Sequence, residues 1–225
     1  MHLTPDHIVF WHWRFIHLNA TILCTWILIL LLSAFSRILT LHLARPEEPR
    51  SRWQNGVEVI VGLLRNQIGA LCQCHADRYL PFIGSLFVFI AASSMLEIVP
   101  GWHAPTASLS ATAALAISVG VAVPVFGILS QGLVEYFRHY LKPSLIMLPL
   151  HLLSETSRNL ALAVRLFGNI MSGSLIAGML LAIAPFFIPV PMQMLGLLVG
   201  CIQAYVFALL ATVYIAAAVQ RGQEG

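Results

Sequence analysis

Charge is what this chain has least of. Asp, Glu, Lys and Arg make up 9% of its 225 residues, where a soluble domain carries about 25%. That scarcity excludes an ordinary water-soluble domain. Disorder is excluded too, because disordered chains are polar and 59% of these residues are hydrophobic. The net charge of +3 comes from 12 basic and 9 acidic residues, too few and too scattered for a nucleic-acid footprint. Cysteine is equally sparse. Cys24 and Cys201 fall in apolar runs, and Cys72 and Cys74 fall in a basic loop, so no disulfide framework is expected. The Cys72-Gln73-Cys74-His75 run is a weak metal signal, and loop thiols with no ligand role are the preferred reading. No phosphate-cradling G-x-x-x-x-G-K-S/T occurs, so no nucleotide chemistry is expected of this chain, and no cofactor is called for. A cleavable signal peptide is not expected, since the first apolar run is too long and lacks a small-residue cleavage site.

What remains is an all-α polytopic membrane protein, and the gaps between charges locate its spans. The 22 residues between Arg14 and Arg37 form one. Between Arg78 and Glu135 the sole charge is Glu97, giving two spans at roughly 80–98 and 107–131, separated by Pro100-Gly101-Trp102-His103-Ala104-Pro105. From Arg165 to Arg221 run 55 uncharged residues, broken at Pro185, Pro189 and Pro191 into two further helices. Half the basic residues (Arg37, Arg45, Arg50, Arg52, Arg65 and Arg78) lie in the loop 36–80. Arg138, Lys142 and Arg221 extend the same bias, which orients five spans with the N-terminus outside and the C-terminus cytoplasmic. The chain reads as a single membrane domain over 1–225. It has an outer segment at 1–14, a cytoplasmic loop at 36–80 and a long helical hairpin at 150–220. Trp11 and Trp13, among His2, His7, His12 and His17, read as an interfacial anchor. Gly56–Leu64 reads as an amphipathic surface helix.

The last two helices are too long for their task. A span needs about 20 residues, yet the Pro-free runs Leu150–Ala184 and Met192–Gln220 would reach about 52 and 44 Å as helix. A strongly tilted hairpin and polar ends projecting from the membrane both accommodate that excess. On the first run His151, Arg158, Arg165 and Ser172 recur every seven residues, sharing a face, with Glu155 three before Arg158 and Asn169 four after Arg165. For Arg158 and Glu155 an interfacial ion pair and a functional role weigh evenly. Arg165 differs: no carboxylate lies within four residues, and an intramembrane cation without a local partner marks a functional site. Gly168, Ser172, Gly173, Ser174, Ala177 and Gly178 form a small-residue surface beside it. Such a surface suits either packing within the chain or the close approach of a partner helix carrying a carboxylate.

Two segments then carry a specific resemblance. Ser154-Glu155-Thr156-Ser157-Arg158-Asn159-Leu160-Ala161-Leu162-Ala163-Val164-Arg165-Leu166-Phe167-Gly168-Asn169 closely resembles the signature of subunit a of rotary F-type ATP synthases. So does Gln203-Ala204-Tyr205-Val206-Phe207-Ala208-Leu209-Leu210-Ala211-Thr212-Val213-Tyr214. Weaker similarities run through Glu97-Ile98-Val99-Pro100-Gly101, Thr106-Ala107-Ser108-Leu109-Ser110, Gly132, Tyr136 and Pro143. The Leu18-Asn19-Ala20-Thr21 run is similar to the alternate, N-type branch.

The resemblance implies a non-catalytic membrane stator beside a rotating ring of c subunits, each bearing one carboxylate reached by two offset aqueous half-channels. Arg165 matches the essential arginine, which attracts the deprotonated carboxylate and blocks direct leakage. Glu97, Ser94, Asn169 and Gln203 would line the outer half-channel, with Gln203 facing the arginine across the hairpin. His151, Ser154 and Glu155, with Arg158 beside them, would serve the inner one. Implied partners are the c ring, peripheral-stalk b subunits, the rest of the complex and membrane lipid, in a bacterial plasma membrane, with protons or sodium ions as cargo. Four positions depart from the family pattern. Ser174 replaces a glutamate or histidine, Gly196 a histidine, Ser108 an aspartate and Asn159 a proline, which shifts the access route toward water and Glu97. The runner-up is a standalone secondary transporter binding an anionic substrate at Arg165, disfavoured by the lack of an internal repeat. A packing-only assembly protein leaves Arg165 unexplained.

Overall fold

The computed structural model describes residues 9–13, 16–43, 52–72, 76–97, 104–133, 147–183 and 189–220. From residue 20 onward every regular element among them is helical. The helices are α1 (Ala20–Leu43), α2 (Arg52–Cys72), α3 (Leu80–Leu96), α4 (Leu109–Gln131), α5 (Met147–Ile183) and α6 (Pro189–Gln220). Three segments, Leu109–Gln131, Leu153–Leu180 and Val190–Gln220, are long and apolar enough to cross a bilayer, and Ile22–Arg37 and Leu80–Leu96 are shorter apolar helices. These five match the five spans read from the charge gaps. The architecture is that of a helical, polytopic membrane protein.

One element was not anticipated. Two strands, β1 (Val9–Trp13) and β2 (Ile16–Asn19), pair antiparallel with His12 opposite His17 and Trp13 opposite Ile16. Val, Ile, Phe and Trp suit a strand as well as an interfacial anchor, and anchoring alone was inferred. The long helices also begin earlier than expected, α5 taking in Pro149 and α6 taking in Pro189 and Pro191. Proline is tolerated in a first turn because the N–H groups there have no helical partner. At 37 and 32 residues, the hairpin helices reach about 55 and 48 Å.

Helix α6 is the hub, packing against α2, α3, α4 and α5. Its buried Ala204, Ala208, Ala211 and Ala216 keep the neighbouring backbones close, while Phe207 and Ile215 fill the core with Leu162 and Leu166 of α5. Asn159 of α5 sits against Gly120 of α4, where a β-carbon would strike its amide. The last turn of α6 is held from two sides. Gln131 Nε2 donates to the Ala218 and Val219 carbonyls at 2.8 and 2.9 Å, groups with no donor of their own at a helix C-terminus. Gln220 Nε2 donates to Leu71 O of α2 at 3.2 Å.

Helix α2 extends the expected surface helix at both ends. Leu64 and Ile68 are buried, while Val59 and Leu63 are exposed on another face. An exposed ion pair, Arg65 to Asp77 at 3.0 Å, links it to the following turn and contributes little to stability. Cys74, His75 and the Cys72 side chain lie outside the described residues. Among the described residues no cluster of three or more metal-ligating side chains occurs.

Candidate functional site

Several polar groups of the apolar helices converge on one cavity. Ser94 and Glu97 stand three residues apart on α3 and so share a face. On α6, Gly196, Gly200 and Gln203 share another, and both faces meet Asn169, Ser172 and Ser174 of α5 around a cavity of about 250 Å³. Glu97 is the one carboxylate among its described lining residues. Glu97 is half-buried there. Ser174 and Gly196, two positions that depart from the family pattern, also line this cavity.

Helices α3 and α6 approach closely at the cavity edge. A β-carbon on Gly200 would lie 2.5 Å from both Cβ and Oγ of Ser94, whose hydroxyl is already committed to Ile90 O at 3.0 Å. Gly200→Ala is therefore expected to spread the two helices and cost about 1–3 kcal/mol, the range for overpacking a filled interior. A lower unfolding midpoint of the purified protein in detergent would register it. An unchanged midpoint would mean that the contact relaxes freely.

One hydrogen bond bridges the hairpin: Asn169 Nδ2 donates to Gln203 Oε1 at 2.8 Å. Gln203 is 4% exposed, and its Nε2 meets no acceptor among the described residues. An unpaired buried donor costs roughly 1–3 kcal/mol. One helical turn before Asn169, Arg165 is exposed. Among the described residues it has neither an ion pair nor a hydrogen bond. Ala161, Val164, Gly168 and Ser172 are exposed around it. Most of the small-residue surface thus faces outward or lines the cavity instead of packing inside the chain.

The residues assigned to the other access route sit apart. Ser154 is exposed and Glu155 half-buried, and the side chain of His151 lies outside the described residues. Arg158 places its guanidinium over the Tyr214 ring, 5.0 Å from the centroid, a cation–π contact the sequence reading missed. A seven-residue repeat drifts about 20° per heptad on a straight helix. The stripe therefore turns from the half-buried Arg158 to the exposed Arg165 and Ser172. Gln193, Gly200 and Tyr214 were not singled out as site residues. The available signals were a lone glutamine in an apolar run, a glycine three before Gln203, and an aromatic able to cover a cation.

A hairpin of over-long apolar helices, with an exposed arginine one turn from the amide bridge at a polar cavity, defines a class: polytopic helical membrane proteins with polar and charged groups within their apolar helices. The chain matches the family described as ATP synthase A chain over residues 22–216 and belongs to it. It is 54% identical to ATP synthase subunit a 1 of Chlorobium luteolum over the full length of both chains. Against ATP synthase subunit a of Nitrosospira multiformis it is 51% identical, covering all of this chain and 89% of that one. With subunit a 2 of Acaryochloris marina it shares 52% identity over all of this chain and 95% of that one.

Proposed function

We propose that this chain is the stator subunit of a rotary ATP synthase membrane sector, passing ions to and from the carboxylates of a c-subunit ring. The observation that carries this reading is Arg165, exposed and without a partner among the described residues, one turn from the Asn169–Gln203 bridge at the cavity holding Glu97. The cavity serves as the outer half-channel, delivering the ion past Glu97 and Ser94 to Asn169 and Gln203. The inner half-channel runs along the opposite end of α5, past His151, Ser154, Glu155 and Arg158. Arg165 separates the two. It attracts each deprotonated ring carboxylate and repels a cation that would cross directly.

The small residues around Arg165 let a ring helix pass closely in lipid. Each charge carried through 100 mV supplies about 2.3 kcal/mol, which the offset between the routes turns into rotation. ATP chemistry belongs to other subunits, and α2 offers its exposed face to the peripheral-stalk b subunits. The basic loop 36–80 places the C-terminus on the cytoplasmic side of a bacterial plasma membrane. Affinity purification of the tagged chain from native membranes tests the reading. A c ring and stalk subunits are expected to accompany it, with ATP-driven uptake in vesicles whose dependence on sodium and pH identifies the ion. A lone chain with transport activity of its own would overturn the assignment.

A further inference from the structure

From the buried hydrogen bond between Ser93 and Thr106 we infer that Thr106 is a positioning residue, fixing where Glu97 stands in the cavity. The inference rests on the stator reading above and concerns a residue outside the described cavity lining. Glu97 closes α3, and among the described residues its carboxylate makes neither a hydrogen bond nor an ion pair. The side chain is therefore not held by polar contacts of its own, and its place is set by the backbone that carries it. That backbone has already loosened. The Glu97 N–H turns to Met95 O, two residues back, where an α-helical bond reaches back four.

Two consecutive serines brace α3 just ahead of this end. Ser94 packs against Gly200 of α6, and Ser93 Oγ lies 3.0 Å from Thr106 Oγ1. Neighbouring residues on a helix point about 100° apart, so the two contacts hold α3 in different directions. The Ser94 contact alone leaves α3 free to turn about α6, and the Thr106 bond removes that freedom. Glu97 follows the serines by three and four residues and stands over both. Thr106 belongs to the 3₁₀ turn Pro105–Ala107, which packs against α1, α3, α4 and α5. The turn is itself fixed to α4, where Thr112 N and Oγ1 both donate to Ser108 O, at 3.1 and 3.2 Å. Ser93 and Thr106 are both 0% exposed. A buried hydroxyl is unfavourable unless hydrogen-bonded, so this pair is a specific tie and not filler.

The test measures ATP-driven uptake in vesicles holding the assembled complex, with Arg165→Ala alongside. Thr106→Val, close in shape but without the hydroxyl, is expected to lower uptake about five- to tenfold, the rate equivalent of one hydrogen bond. Thr106→Ser, which keeps the hydroxyl, should stay near wild type. Thr106→Val leaves Ser93 orphaned, so the paired variant Ser93→Ala with Thr106→Val separates stability from positioning. Replacing both partners by apolar groups is nearly neutral for stability, so its unfolding midpoint should match wild type while uptake stays low. In the Glu97→Gln background Thr106→Val should cause no further loss, because residues that act through one another are not additive. Wild-type uptake in Thr106→Val, recovery of uptake in the paired variant, or a further five- to tenfold loss in the Glu97→Gln background would each overturn the inference. If Thr106→Val does not assemble, the paired variant decides. Abolished uptake in Arg165→Ala beside wild-type uptake in the paired variant removes the role of Thr106 and leaves the stator reading intact, whereas normal uptake in Arg165→Ala removes the stator reading itself.

Discussion

Vesicles carrying the complex with Arg165→Ala are expected to show ATP-driven ion uptake reduced by at least about a hundredfold, the range seen when a preorganised electrostatic group is removed from its site. The complex itself should assemble. Arg165 is exposed and makes no hydrogen bond or ion pair among the described residues, so its loss leaves no cavity in the core and no orphaned partner inside the chain. A residue held for stability would show the reverse pattern, with buried contacts and a folding defect on removal. Arg165→Lys is expected to restore only part of the activity. Arginine keeps its charge at any working pH and offers a planar fork to a carboxylate, whereas a lysine in a dry setting can lose its proton. The measurement is initial uptake rate per assembled complex, with assembly read from the ring subunits that copurify. Wild-type coupling in Arg165→Ala would remove the stator reading and return Arg165 to a surface or lipid-facing role.

The spans were readable because a charge in hydrocarbon costs several kcal/mol, so the intervals between Arg14, Arg37, Arg78, Glu135, Arg165 and Arg221 mark helices almost by themselves. Helix starts were not, because proline signals a break in the middle of a helix and is neutral in its first turn. That is why Pro149, Pro189 and Pro191 proved to be helical. Among site residues, Arg165 was legible from the lack of a nearby carboxylate. The convergence of Ser94 and Glu97 with Gln203 was suggested by resemblance and needed the fold, since the pair lies more than one hundred residues from Gln203 in sequence. The cation–π contact of Arg158 was not legible for a plain reason. Spacing on one helix shows Glu155 as a neighbour, but the ring that covers the guanidinium comes from Tyr214 on the other arm of the hairpin. Gly200 was invisible because a glycine's role in a close approach depends on what faces it, here Ser94.

Glu97→Gln should be the second most damaging change, lowering ATP-driven uptake by about 10²-fold or more, as expected when a positioned acid–base group is lost. Glutamine preserves the shape of the side chain, so the cavity keeps its outline while losing its one described carboxylate. The position of that carboxylate suggests a stronger test than its removal. Ser174 lies on α5 and Gly196 on α6, both lining the same cavity, and among the described residues Ser174 Oγ is engaged only with Met171 O of its own helix at 3.0 Å. A carboxylate introduced there disrupts no contact between helices. If the cavity needs one titratable group and not a particular helix to carry it, Ser174→Glu in the Glu97→Gln background should recover at least about a tenth of the wild-type rate, the part of a general acid–base contribution that survives imperfect placement. Ser174→Glu alone should change the pH dependence of uptake more than its maximum, because two carboxylates sharing a wet cavity titrate as a coupled pair. Rates are measured across pH in vesicles, with copurified ring subunits as the assembly control. Full activity in Glu97→Gln at every pH would show that water alone crosses the cavity. A Glu97→Gln defect that Ser174→Glu leaves untouched would tie the proton to the end of α3, where Glu97 also terminates the helix.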